Sequence, residues 1–78
     1  MTLTVISSYD TLFSGEVTSV TLPGVKGSFT VLKNHAPLIS VLVPGKVEYR
    51  NENGEEKKLD IKGGLVDVAD NRISVCVY

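Results

Sequence analysis

Residues 46–61 read Lys46-Val47-Glu48-Tyr49-Arg50-Asn51-Glu52-Asn53-Gly54-Glu55-Glu56-Lys57-Lys58-Leu59-Asp60-Ile61. Both central residues of a type I′ turn need positive φ, and an Asn-Gly pair tolerates it, so Asn53-Gly54 predicts a hairpin tip. Apolar and polar residues alternate on either side, in Val47-Tyr49 and again in Leu59-Ile61. That period of two belongs to strands with one face buried. Strands near 46–51 and 55–61 therefore form a hairpin. Its charges, Glu48, Arg50, Glu52, Glu55, Glu56, Lys57, Lys58, Asp60 and Lys62, read as a solvated hairpin face rather than a binding patch.

The same alternation recurs in Leu3-Val5, Val66-Val68 and Ile73-Val75-Val77. Turn formers separate these runs at Ser14-Gly15, Pro23-Gly24, Pro44-Gly45, Gly63-Gly64 and Asp70-Asn71. The last joins a strand over 65–69 to one over 72–77. No segment carries a helical period. In Val17-Thr18-Ser19-Val20-Thr21-Leu22 strict alternation fails, and a β-bulge between Val17 and Val20 would return both side chains to the core. Leu59, Ile61, Val66, Val68 and Val75 are expected to point inward. Eight or more short strands at this spacing define an all-β chain, an antiparallel sandwich or barrel.

Seventy-eight residues make one domain, 1–78, near the low end of the size range, with correspondingly modest stability. Hydrophobic residues make up 42%, which excludes a disordered composition. Eight basic and nine acidic residues leave a formal charge of −1, so there is no positive field to hold nucleic acid or anionic lipid. One cysteine, Cys76, and one histidine, His35, allow neither an intrachain disulfide nor a zinc site, and a reducing compartment fits. The first residues lack a basic-then-apolar leader, and no apolar run approaches the roughly 20 residues that cross a bilayer. Direct membrane insertion is not expected.

The inventory for catalysis is thin. No nucleophile elbow or other local signature surrounds His35 or Cys76, and both read as structural or interface residues. Cys76 is opposite in phase to Val75 and Val77. Glu55-Glu56 beside Lys57-Lys58 stay hydrated and make poor acid or base groups. Gly24-Val25-Lys26-Gly27 and Gly45-Lys46 lack the Ser or Thr and the helix start of a phosphate loop. Catalytic, metal-binding and cofactor-binding residues are therefore none, and no cofactor is expected.

Asn34-His35-Ala36-Pro37-Leu38 is different in kind. Pro37 drives Ala36 toward an extended conformation and withholds a backbone donor, making a stiff crossing that holds His35. From Asn34 to Gly45 no residue is charged if His35 is neutral. A buried central strand over Leu38–Val43 or an apolar surface that meets a partner would explain this, and the two readings are compatible on different faces of one strand.

Several of these pieces, in order and spacing, resemble the epsilon subunit of bacterial and chloroplast F-type ATP synthases, whose mitochondrial counterpart is called delta. The resemblance runs through Leu3-Thr4-Val5-Ile6-Ser7, Leu12-Phe13-Ser14-Gly15-Glu16-Val17, Leu22-Pro23-Gly24 and Gly27-Ser28-Phe29-Thr30-Val31-Leu32. It continues through Asn34-His35-Ala36-Pro37-Leu38, Pro44-Gly45-Lys46-Val47, Ile61-Lys62-Gly63-Gly64-Leu65-Val66-Asp67-Val68 and Asp70-Asn71-Arg72-Ile73-Ser74-Val75. Thr30 stands where the family commonly has glycine, and Lys33 where it commonly has proline.

The resemblance implies a sandwich of two antiparallel sheets, about ten short strands. It also implies a non-catalytic place in the central stalk, beside the gamma subunit and on the polar loops of the c-ring, coupling ion-driven rotation to ATP synthesis. By its motifs Ser7, His35, Ala36, Pro37 and Leu38 match positions that bind gamma. Lys26, Gly27 and Ser28 match those that face the c-ring, with Ser28 in place of a common acidic residue. The implied location is peripheral, on the cytoplasmic face of a bacterial inner membrane. A helical hairpin carrying inhibition and ATP binding follows the last strand in many relatives, and neither activity is expected of residues 1–78. The alternative is a free-standing β-sandwich that binds a ligand or peptide. Such modules usually stack ligands on exposed aromatics, of which this chain has few.

Overall fold

The computed structural model describes every residue, Met1 to Tyr78. It contains eight strands and no helix: β1 (Thr2–Ile6), β2 (Thr11–Gly24), β3 (Gly27–Leu32), β4 (Leu38–Leu42), β5 (Gly45–Asn51), β6 (Glu56–Ile61), β7 (Gly64–Ala69) and β8 (Arg72–Val77). Hydrogen bonding links them in the order β1-β8-β7-β4-β2-β5-β6, with β3 on β2 and a further β1–β2 pairing.

The long β2 makes both halves of the molecule. Thr11–Glu16 pair with β1, Val17–Thr21 with β5, Ser19–Gly24 with β3, and Gly24 reaches Leu42 of β4. Its register against β5 slips between Val17 and Ser19, and such a bulge bends a strand and raises its twist. As the broken alternation predicts, Val17 and Val20 are both buried. Thr30 takes no positive φ; its hydroxyl instead lies 2.9 Å from that of its cross-strand partner Thr21.

Two expectations are corrected. The strands number eight rather than about ten, because β2 runs through its bulge for 14 residues without a break. Nor is the pairing wholly antiparallel, since β1 and β8 run parallel from Thr2↔Arg72 to Ile6↔Cys76. A parallel pair needs a long crossover, and here the chain from β2 to β7 supplies it.

The type I′ turn expected at Asn53-Gly54 occurs instead at the β7–β8 connection. Asp70 and Asn71 both hold positive φ, 51° and 59°, so this pair forms the type I′ turn. At the β5–β6 tip only Gly54 is positive, at 84°. There Gly54 N–H donates to the Asn51 carbonyl and Asn51 N–H to the Glu55 carbonyl, each at 3.0 Å. This is the three-residue loop in which a type I turn ends in a glycine bulge.

Fourteen buried apolar side chains form one core. Register aligns Leu3, Ile73 and Val68 in one inward row and Val5, Val75 and Val66 in the next. Val17, Val20, Leu22, Val31, Leu42, Val47, Ile61 and Val77 complete the cluster. Leu59, expected inward, lies half-buried at its rim. No polar or charged residue is buried, so shape rather than a polar network specifies the packing.

On the outside of the β5–β6 hairpin, directly opposed residues pair by charge: Lys46–Asp60 at 3.0 Å, Glu48–Lys58 at 3.3 Å and Arg50–Glu56 at 2.9 Å. Exposed pairs of this kind each contribute about 0–1 kcal/mol. Their larger effect is on solubility, because β6 ends the sheet and charged side chains protect an edge against pairing with another chain.

Candidate partner-binding face

The outward side chains of β4, β7, β8 and β1 have another character. Register lines up Val41, Leu65, Cys76 and Ile6 across four adjacent strands, and all four are exposed. Ile39, one strand period away on β4, is 68% exposed, Val41 50%, Leu65 46% and Ile6 38%. Scattered surface apolar residues are ordinary; a contiguous row is a candidate docking surface. Within the Asn34–Gly45 stretch, Leu42 lies in the core while Ile39 and Val41 are exposed on the outside.

At its β4 end the row runs into a cleft of about 540 Å³. One wall is the β2–β3 turn, with Gly24, Val25, Lys26, Gly27 and Phe29; the other is His35 with Leu38, Ile39, Ser40 and Val41. Two backbone bonds hold the walls together, Val25 N–H to the Val41 carbonyl at 3.0 Å and Val43 N–H to the Pro23 carbonyl at 2.9 Å. Gly24 lets the β2–β3 turn itself close tightly. A Cβ there would lie 2.8 Å from both the Gly27 carbonyl oxygen and the Phe29 ring, inside van der Waals contact. Lys26 is the one charged residue of the lining and no carboxylate opposes it.

His35 is held by its neighbours. Its backbone N–H donates to the Leu32 carbonyl at 3.1 Å, and its ring Nδ1 lies 2.6 Å from the Ala36 carbonyl oxygen. A carbonyl only accepts, so Nδ1 is the donor in this contact, which fixes the orientation of the ring. No three or more His, Cys, Asp and Glu side chains gather as metal ligands.

The eight residues singled out in sequence do not form one site. Lys26, Gly27, His35 and Leu38 come together in the cleft, although their motifs point to two different partners. Ala36 and Pro37 are exposed in the connection between β3 and β4. Ser28 is exposed on β3 outside the lining. Ser7 follows Ile6 at the far end of the row, where its N–H donates to the Asp10 carbonyl at 2.8 Å. Val25, Leu65 and Ile6 were not among the sequence-predicted site residues, and Val41 entered only as part of the uncharged stretch. Their joint placement depends on strand register, which no local motif carries.

These elements define a small all-β domain with a charged hairpin on one part of its surface and an exposed apolar row on another. Residues 1–78 match the family model described as "ATP synthase, Delta/Epsilon chain, beta-sandwich domain", and the chain belongs to that family. It is similar to the ATP synthase epsilon chain of Leptospira interrogans (45% identical over 74 residues, 94% of this chain and 57% of that one). It is also similar to the epsilon chain of Chlorobium limicola (40% over 70 residues, 90% of this chain and 80% of that one). Among solved structures it superposes on a chain of the Euglena gracilis mitochondrial ATP synthase with a TM-score of 0.90, at 26% identity over 96% of this chain and 48% of that one. A chain of the Tetrahymena thermophila mitochondrial ATP synthase, at 20% identity and a TM-score of 0.81, shares the fold. The chain spans somewhat under three-fifths of the length of the Leptospira relatives.

Proposed function

We propose that this domain is a non-catalytic rotor component of an F-type ATP synthase, seated in the central stalk. Gamma docks on the apolar row and on His35, Ala36, Pro37 and Leu38, and the Ser7 connection borders that contact. The β2–β3 turn, with Lys26, Gly27 and Ser28, meets the polar loops of the c-ring, where the Ser28 hydroxyl offers a hydrogen bond. The domain transmits torque as a packed, rigid part while the complex couples ion flow to ATP synthesis. Its position is peripheral, on the cytoplasmic face of a bacterial inner membrane.

The observation that carries this reading is the continuous row Ile6–Cys76–Leu65–Val41 leading into the cleft, on a fold shared with a chain of a mitochondrial ATP synthase. A free-standing ligand-binding module is not favoured, since Phe29 is the single aromatic residue in the cleft and is half-buried. Titration of gamma against His35→Glu, Leu38→Asp and Lys57→Glu tests the reading. A charge driven into a dry apolar contact costs several kcal/mol, so the first two weaken binding by about 100-fold or more. Lys57→Glu leaves it nearly unchanged. Equal affinities for the three folded variants would refute the assignment.

A further inference from the structure

The loop that presents His35 is tied down from outside itself. Asn34 and Asn71 both hold left-handed φ, 64° and 59°, a region asparagine tolerates better than most residues. In that conformation their side chains meet across 37 positions of sequence. Asn34 N–H donates to Asn71 Oδ1 at 2.6 Å, and Asn71 Nδ2 donates to Asn34 Oδ1 at 2.9 Å. The Asn71 carbonyl meanwhile accepts Thr2 N–H at 3.0 Å. One residue of the β7–β8 turn thus joins the start of β1 to the β3–β4 connection. That connection has little else: Pro37 has no N–H, and its other backbone tie to the sheet is His35 N–H to the Leu32 carbonyl.

We propose that Asn71 is a positioning residue for the partner-binding loop, acting through Asn34 to hold His35 and Leu38 at the mouth of the cleft before a partner arrives. This rests on the reading of the cleft as a gamma contact. A loop populating its docked geometry only part of the time binds more weakly by that fraction. If loss of the clasp leaves about a tenth to a fifth of molecules with the loop in place, gamma binds about five- to tenfold more weakly.

Three variants of this chain separate positioning from stability. Asn71→Gly keeps the left-handed turn and removes both side-chain bonds. Asn34→Asp keeps both, because a carboxylate accepts from Asn71 Nδ2. Asn34→Asp combined with Asn71→Asp faces two carboxylates and breaks the clasp. Amide exchange at Asn34, His35 and Ala36, measured without partner, should quicken in Asn71→Gly and in the double variant while the amides of β7 and β8 keep their protection. Gamma affinity should fall about five- to tenfold in those two variants and stay near the parent value in Asn34→Asp. Unchanged exchange in Asn71→Gly overturns the clasp itself. Quickened exchange with undiminished gamma affinity overturns its role in binding. Failure of the parent chain to bind gamma would instead bring down the functional reading beneath it, and this proposal with it.

Discussion

Asn51 closes the β5–β6 hairpin with one side-chain oxygen, which accepts N–H groups from Asn53 at 2.9 Å and Glu55 at 3.0 Å. Asn53-Gly54 was legible as a hairpin tip, but the turn type was not. A side chain two residues upstream supplies acceptors that favour the longer loop, and Asn53 never needs positive φ. Asn51→Ala should therefore cost about 1–2 kcal/mol of unfolding free energy by leaving those donors to water, and Asn53→Ala less than about 0.5. Denaturant titration of the two variants decides; equal losses would contradict the loop geometry. Glu16 makes the second residue-scale case. Thr2 Oγ1–H donates to its carboxylate at 2.9 Å and the Met1 ammonium lies 3.1 Å away. First the Thr2 bond, then the ammonium, hold the Glu16 carboxyl below its ordinary value of 4.5. A lowered folded pKa stabilises above the unfolded value, and that contribution is lost as pH falls through the folded one. Thr2→Val should raise the Glu16 pKa in an NMR titration and reduce the acid sensitivity of the β1–β2 pairing. A pKa that does not move would show the hydroxyl to be incidental.

At the scale of elements, alternation and turn spacing gave eight or more strands and bulge chemistry placed Val17 and Val20, but neither could show that the first and last strands run parallel. Pairing between β1 and β8 is set by where the whole chain arrives, and local pattern is blind to that. The two faces of a strand also weigh differently. Ile73 on β8 is 1% exposed and Ile39 on β4 is 68% exposed, although both are isoleucines in strands. Ile73→Ala should destabilise by about 2–4 kcal/mol through lost burial and a cavity, whereas Ile39→Ala should change stability by less than about 0.5. Thermal or chemical unfolding that ranked them equally would mean that the register of β4 on β7 is misread. Close approach imposes its own limit at Gly64, where a Cβ would run into the Cys76 carbonyl of the neighbouring strand. Side chains are excluded there because the backbones leave no room.

Across the whole molecule, the paired charges of β5–β6 lie on one part of the surface and the apolar row of β4, β7, β8 and β1 on another. This asymmetry was half legible. The charged run from Glu48 to Lys62 and the uncharged run from Asn34 to Gly45 could be read directly, and family motifs marked Lys26, Gly27, His35 and Leu38. That those four share one cleft, and that Leu65 and Ile6 extend it, became visible only with strand register. The central claim is that the apolar row and cleft are where gamma docks. The most direct test is an NMR footprint of the isotopically labelled chain on titration with gamma. The account predicts that Ile6, Val25, His35, Ile39, Val41 and Leu65 shift or broaden together while Lys46, Glu48, Arg50, Lys58 and Asp60 stay in place. A footprint centred on the β5–β6 ladder, or none at saturating gamma, would contradict it.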